Sequence, residues 1–219
     1  MTTRPLLYRG LRLANAVLFL TAVGLILDHS VAAALSRITG DPHWSTAGRT
    51  LVVADKTGDP AWHQANQFAV AVWNEAGAGT GLRLTWTAAT GSCDPESDRI
   101  VVCGASADVL DDHLQLRREG VTRIELGDDH AQAHIAVATV LVCADCPLRA
   151  ARRRVVATHE LGHALGLPHT PRIGSVMYPT GGPERPDAVD AAGLRSIYGH
   201  VDAVDRCGFF DARVGPLCF

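Results

Sequence analysis

The chain has 219 residues, 47% of them hydrophobic, and a formal net charge of -3. That supplies one proper core, leaves too little length for two comfortable domains, and excludes a disordered chain. A charge this close to zero, with RAARRR (149–154) as the one basic cluster, argues against a nucleic-acid surface; the cluster reads as the solvated face of a helix start.

Arg4, Arg9 and Arg12 precede LANAVLFLTAVGLIL (13–27), fifteen residues without a charge. This suits the apolar region of a signal peptide and falls short of the ~20 residues of a full membrane span. VAAALS (31–36) offers a small-x-small cleavage site after Ala34, but Asp28 and His29 interrupt the approach to it. Residues 1–35 therefore read as a signal peptide or as a retained signal anchor with its arginines inside. Either reading places the remainder outside the cell, secreted or tethered to the outer side of the membrane by residues 13–27. Residues 36–49, SRITGDPHWSTAGRT without its last residue, read as a linker rich in turn formers, and the domain proper as 50–219.

TLVVAD (50–55) opens the domain as a short strand. Asp59-Pro60 starts a helix, Pro being tolerated in the first turn. Trp62, Ala65, Ala69, Val72, Trp73 and Ala76 recur at three and four residues, which makes one buried stripe. The glycines of 77–81 end it. LRLTWT (82–87) alternates as a strand, and RIVVCG (99–104), VTRIEL (121–126) and AHIAVATVLV (133–142) are further strands. After Pro147 the run to Leu165 is helical, with Ala157, Leu161, Ala164 and Leu165 facing the sheet. Strands and helices mix without strict alternation, so the class is α+β or mixed α/β and not a barrel, with α+β preferred.

The six cysteines agree with export and fall as neighbours: Cys93 with Cys103, Cys143 with Cys146, Cys207 with Cys218. Six cysteines allow fifteen connectivities, and sequential pairing is the simplest. CADC (143–146) also reads as a redox pair at a helix start, where a thiol pKa falls; a thiol oxidoreductase is the function that reading implies.

HELGHALGLPH (159–169) carries the chemistry. On a helix His159 and His163 lie one above the other and can share one metal ion. Glu160 is rotated by about 100 degrees and reaches a water on that ion without occupying a coordination position. Gly166 lets the chain leave the helix and bring His169 back to the same ion. Three imidazoles and a water make tetrahedral zinc with one open position, suited to metal-assisted hydrolysis with Glu160 as general base. Chance places these five fixed residues in only ~1 in 20,000 shuffles of this composition. No G-x-S-x-G nucleophile elbow accompanies them.

HELGHALGLPH together with SVMYP (175–179) resembles the metzincin zinc endopeptidases, and among them the matrixins. The resemblance implies zinc ligands His159, His163 and His169, general base Glu160, and Met177 as the Met-turn methionine, an apolar floor and no ligand. Thr170, Tyr178 directly after Met177, and PDAVDAAGLRSIYG (186–199) are similar to matrixin features. The family fold is a mixed twisted sheet of about five strands with a long helix, an active-site helix and a small C-terminal subdomain below the cleft. The family also implies a protein or peptide substrate lying extended above His159 and pairing with a sheet edge. The edge candidate is HIAVATVLV (134–142), and the loop from Pro179 to Gly182 would wall the pocket for the residue after the cut. The chain departs from the family in lacking a cysteine-switch propeptide, a hemopexin-like repeat and a clear match to the family's structural zinc and calcium sites. His130 and His134 lie near where such a site would fall, and they read as solvated, so one catalytic Zn2+ is expected and Ca2+ stays open. The expected function is an exported zinc endopeptidase. Its rival is an inactive, zinc-stabilised binding domain on the same fold, against which the intact Glu160 argues.

Overall fold

The computed structural model describes residues 42–45, 50–111, 118–127 and 134–199, together with the backbone of 210–211 and 215–216. Five strands make one sheet: β1 (Thr50–Asp55), β2 (Arg83–Ala88), β3 (Arg99–Ala105), β4 (Gly120–Leu126) and β5 (Ile135–Cys143), in the order β2-β1-β3-β5-β4. The first four in that order run parallel, and β4 lies antiparallel on the outside of β5. The class is α+β, with the mixed sheet the sequence suggests. Two strands of two residues, β6 (Phe210–Asp211) and β7 (Gly215–Pro216), pair separately.

The edge of the sheet is not where the sequence reading put it. Residues 135–142 fall in β5, which has β3 on one side and β4 on the other, and His134 just before it forms an isolated bridge with His43. Among the described residues the outer edge on that side belongs to β4. The physical reason is visible in both segments. IAVATVLV is an almost unbroken apolar run, as expected of a strand covered by neighbours. VTRIEL interrupts its apolar residues with Arg123 and Glu125, both exposed, which keeps an edge from pairing indiscriminately.

Two long helices pack against the sheet and each other. Helix α1 (Pro60–Ala76) lies on β1 and β2. Asp59 caps it, its carboxyl accepting the Ala61 N–H at 2.8 Å, with Pro60 in the first turn where no N–H is needed. The expected stripe is buried at Trp62, Ala65, Ala69, Val72 and Trp73, with Ala76 packed at its margin. A single turn, α2 (Ala107–Leu110), follows β3. Helix α3 (Ala150–Ala164) lies on β4 and β5 and crosses α1. The last helix, α4 (Ala188–Tyr198), is held by a capping box between Asp187 and Asp190. Apolar side chains of α1, α3, α4 and the sheet form one core cluster.

Asp55 shows how a charged group is accommodated in this core. Asp55, fully buried at the end of β1, accepts from Asn66 Nδ2 at 2.8 Å, Trp86 Nε1 at 3.1 Å and Thr57 Oγ1 at 2.7 Å. Such a group would be costly to bury alone. The indole of Trp62 donates to the Cys143 carbonyl, and that of Trp73 to the Thr158 carbonyl, locking α1 to β5 and to α3.

Cys93–Cys103 and Cys143–Cys146 are disulfides, and no described cysteine is free. CADC is thus a closed turn ahead of α3, with Cys143 fully buried. Cys207 and Cys218 lie outside the described residues, as do residues 1–41, His130 and most of the segment after 199. The described part of the segment read as a linker belongs to the core: Trp44 is buried, and the Ile135 N–H donates to the His43 carbonyl at 2.7 Å. RAARRR is more than a solvated face. Arg152 pairs with Glu119 and Arg154 with Glu184, while Arg153 lies over the Trp62 ring.

Candidate metal centre

The site is built on the second half of α3. His159 and His163, one turn apart, project from the same face. The helix stops at Leu165 because Gly166 takes φ of +93°, a left-handed conformation open to glycine. A side chain at Gly166 would also collide with the Pro42 carbonyl. The turn carries His169 back over the helix. The carbonyls freed at the helix end find fixed donors: Trp44 Nε1 reaches Ala164 O at 2.9 Å, and Tyr198 Oη reaches Leu165 O at 2.9 Å. The end of the helix that sets the histidine geometry is therefore anchored from both sides of the chain.

The three expected ring nitrogens converge. Nε2 of His159 lies 3.2 Å from Nε2 of His163 and 3.2 Å from that of His169, and the last two are 3.1 Å apart. Three nitrogens bound to one tetrahedral zinc at about 2.0–2.1 Å sit roughly 3.3 Å from one another, so the donor set fits zinc. The tautomers agree. Nδ1 of His159 donates to Val176 O at 2.7 Å and Nδ1 of His163 to Leu167 O at 2.8 Å. A carbonyl only accepts, so each Nδ1 carries the hydrogen and each Nε2 turns a lone pair inward. The lone pairs of His159 and His163, with their Nε2 atoms 3.2 Å apart, repel unless a cation lies between them.

The rings are also held neutral. Burial pushes His163 down to about 4, and the neighbouring His159 adds to the effect. Burial lowers His159 as well, with further contributions from the charges of His169 and Arg152, and burial lowers His169. A neutral imidazole is the metal-binding form.

Glu160 is buried beside the triangle. Burial raises its carboxyl to about 7, against the opposing pull of the Thr122 hydroxyl and the Arg118 charge. Thr122 Oγ1 lies 2.7 Å from Glu160 Oε2 and 2.9 Å from the Glu160 carbonyl, so β4 fixes the carboxylate from outside the helix. Gly120 permits that approach: a Cβ there would fall 2.7 Å from Glu160 Cγ. Neither Thr122 nor Gly120 was singled out from sequence. A glycine opening a strand is a sign of close backbone approach, but nothing local says which residue it approaches.

Met177 is buried, at 2% exposure. It meets α3 at Gly162, where a Cβ would collide with its sulfur and come within 2.8 Å of the Trp73 ring. Its turn is held by Asp190, which accepts from Ser175 Oγ, from Val176 N at 3.1 Å and from Asp187 N at 2.9 Å. Ser175 Oγ in turn accepts the Met177 N–H at 2.9 Å. The Thr170 N–H donates to Met177 O at 3.1 Å, tying the segment of the third histidine to the same turn. Gly162 and Asp190 are further site-supporting residues the sequence reading missed.

Among the described residues one other cluster, Cys143, Asp145 and Cys146, has metal-ligand spacing, and its sulfurs are committed to each other. No described helix is long and apolar enough to cross a membrane.

Comparison with known proteins agrees with this construction. A family model described as Matrixin, of the M10 peptidases, matches residues 41–199, most of the chain. Matrix metalloproteinase-21 of Mus musculus and that of Homo sapiens are each 48% identical over 48 residues, 20% of this chain and 8% of theirs. The chain thus matches a small part of the length of those relatives. Among solved structures, archaemetzincin of Archaeoglobus fulgidus, determined with malonate, overlaps 66% of this chain and 99% of its own at 16% identity and a TM-score of 0.37. The family model begins at residue 41, just before the buried Trp44, and ends at Gly199, just after the last helix, so it spans the whole of the core described above. The chain belongs to the matrixin family of zinc metallopeptidases.

Proposed function

We propose that this chain is an active, exported zinc endopeptidase in which His159, His163 and His169 hold one zinc ion and Glu160 is the general base. The observation that carries the reading is the triangle of converging Nε2 atoms together with the buried carboxylate of Glu160, the residue after His159, fixed by a separate strand. When bound, zinc supplies the Lewis acid that polarises a peptide carbonyl and makes water nucleophilic near neutral pH.

The protein's own groups do the rest. Glu160, with a pKa of about 7 before any metal is counted, takes a proton from the attacking water and returns it to the leaving amine. Thr122 holds one carboxylate oxygen and leaves the other for that transfer. The Val176 and Leu167 carbonyls keep two imidazoles in the tautomer and orientation that ligation needs. The substrate is a protein or peptide that lies extended along β4, the outer edge beside Glu160, and pairs with it through backbone groups. Export is supported by the apolar run 13–27 after its arginines and by the two disulfides.

The test combines metal analysis with a casein and peptide digest. Wild type holds one zinc and cleaves, and Glu160→Gln keeps the zinc and loses at least ~100-fold in turnover. Bound zinc with no digestion by wild type would favour the inactive binding domain instead. N-terminal sequencing of exported protein distinguishes cleavage after Ala34 from a retained anchor.

A further inference from the structure

The CADC turn carries chemistry that the metal centre does not use. It leads from β5 toward α3, and its two sulfurs differ in access. Cys143 is fully buried at the end of β5, while Cys146 is half-buried. A thiolate arriving from solvent therefore meets the Cys146 sulfur, and Cys143 is the sulfur that leaves. The sequence places this pair at a helix start, but α3 begins only at Ala150, so the helix end is not the group that acts on it. Asp145 stands beside it instead. Its Oδ1 lies 3.3 Å from the Cys143 sulfur, within reach of a proton that this sulfur gains or loses.

The turn is held by hydrogen bonds that do not involve the S–S bond. The Cys143 N–H donates to the Glu119 carbonyl at 2.9 Å, and the Trp62 indole donates to the Cys143 carbonyl at 3.1 Å. The Ala144 N–H donates to the Ala105 carbonyl at 2.8 Å, the Ala107 N–H to Asp145 Oδ1 at 2.8 Å, and the Leu148 N–H to the Cys146 carbonyl at 2.7 Å. Opening the disulfide therefore leaves its two sulfurs next to each other, poised to close again. The bond spans a separation of three residues, against ten for Cys93–Cys103. A shorter loop restrains the unfolded chain less, so the fold loses less when it opens.

We propose that Cys143–Cys146 is a dithiol–disulfide exchange centre, independent of the zinc site, whose substrate is a peptide or protein presenting two thiols and in which Asp145 takes or returns the Cys143 proton. A substrate thiolate attacks Cys146 Sγ. The S–S bond breaks, a mixed disulfide forms at Cys146, and Cys143 leaves with the electron pair and is protonated through Asp145. The second substrate thiolate attacks the substrate sulfur of that mixed disulfide, and Cys146 leaves in turn. The substrate ends as a disulfide, and its two electrons and two protons reside on Cys143 and Cys146. In the reverse direction the reduced pair opens a substrate disulfide, and Asp145 takes the Cys143 proton before the ring closes.

The test treats the full chain with graded dithiothreitol, alkylates thiols under native conditions, maps them by mass spectrometry and follows the fold by circular dichroism. Cys143–Cys146 should open at dithiol concentrations that leave Cys93–Cys103 closed and the native spectrum intact, with Cys146 alkylated ahead of Cys143. Given oxidised glutathione, Cys143→Ser should trap a mixed disulfide at Cys146, and Cys146→Ser should trap at least about tenfold less at Cys143. Asp145→Asn keeps an acceptor for the Ala107 N–H and loses the proton acceptor. It should slow exchange by roughly tenfold and flatten its pH profile, and Asp145→Glu should restore part of the rate. Opening of both disulfides together, only as the native spectrum is lost, overturns the proposal, as does equal trapping at the two cysteines. An unchanged rate and pH profile in Asp145→Asn overturns the role given to Asp145.

Discussion

The metal half and the base half of this site are built in opposite ways. Its ligand triangle comes from eleven consecutive residues, 159–169, and needs only a helical turn, a left-handed glycine and a return. Its carboxylate is held by Thr122, 38 residues away, and the helix end by Trp44, 120 residues from the carbonyl it caps. Local geometry sets which ring nitrogens converge. The long-range contacts set how rigidly they are held and in what protonation state. Substitutions in the two halves should therefore fail differently.

The largest effect belongs to the ligand triangle. His163→Ala leaves two nitrogens and should lose zinc on dialysis against a mild chelator, with cleavage at background, while the core keeps its packing. Metal content and circular dichroism of the same sample check both halves of that statement. Retention of stoichiometric zinc by this variant would remove the triangle from the account.

Next comes Gly162, which serves both halves. Any Cβ there meets the Met177 sulfur and the Trp73 ring together, and neither can retreat from a core already filled. Gly162→Ala should destabilise the fold by about 1–3 kcal/mol, as overpacking does, and lower the thermal midpoint accordingly. Better helix propensity at 162 offsets only part of this, roughly 1 kcal/mol. A midpoint equal to or above wild type would mean that Met177 is free to move. Trp44→Phe is a milder break from the far side of the chain. It keeps most of the apolar volume but leaves the buried Ala164 carbonyl without its donor, a loss of about 1–3 kcal/mol with zinc content unchanged.

How much of this was readable in the sequence follows the same division. The proposed ligands, base and Met-turn residue stand in two short motifs, and their spacing alone carries the helix geometry. Strand alternation and the Trp62–Trp73 stripe likewise depend on neighbours within a few residues, and the elements appear where those patterns place them. What the sequence did not disclose is partner choice. HIAVATVLV is the edge candidate of the sequence, whereas the chain adds β4 outside it, antiparallel. Trp44 sat among turn formers and read as spacer, yet its indole finishes the active-site helix. Asp190 stands within PDAVDAAGLRSIYG, and only the fold brings it against Ser175 and Val176.

The smallest effect sharpens the comparison most, because it separates holding the base from holding the metal. Thr122→Val removes the hydroxyl that contacts Glu160 and keeps the β-branched shape on an edge strand. A hydrogen bond to a carboxylate favours its charged form, and the Thr122 bond lowers the Glu160 pKa. Losing it raises that pKa, so at a given pH below neutrality less of the base is deprotonated. The acid limb of kcat/KM should move to higher pH, with activity at its plateau reduced by at most about tenfold. Zinc content should not change, since Thr122 hydrogen-bonds to no ligand. An acid limb that stayed in place, or moved to lower pH, would show that the strand does not tune the base and that burial within α3 alone sets its proton affinity.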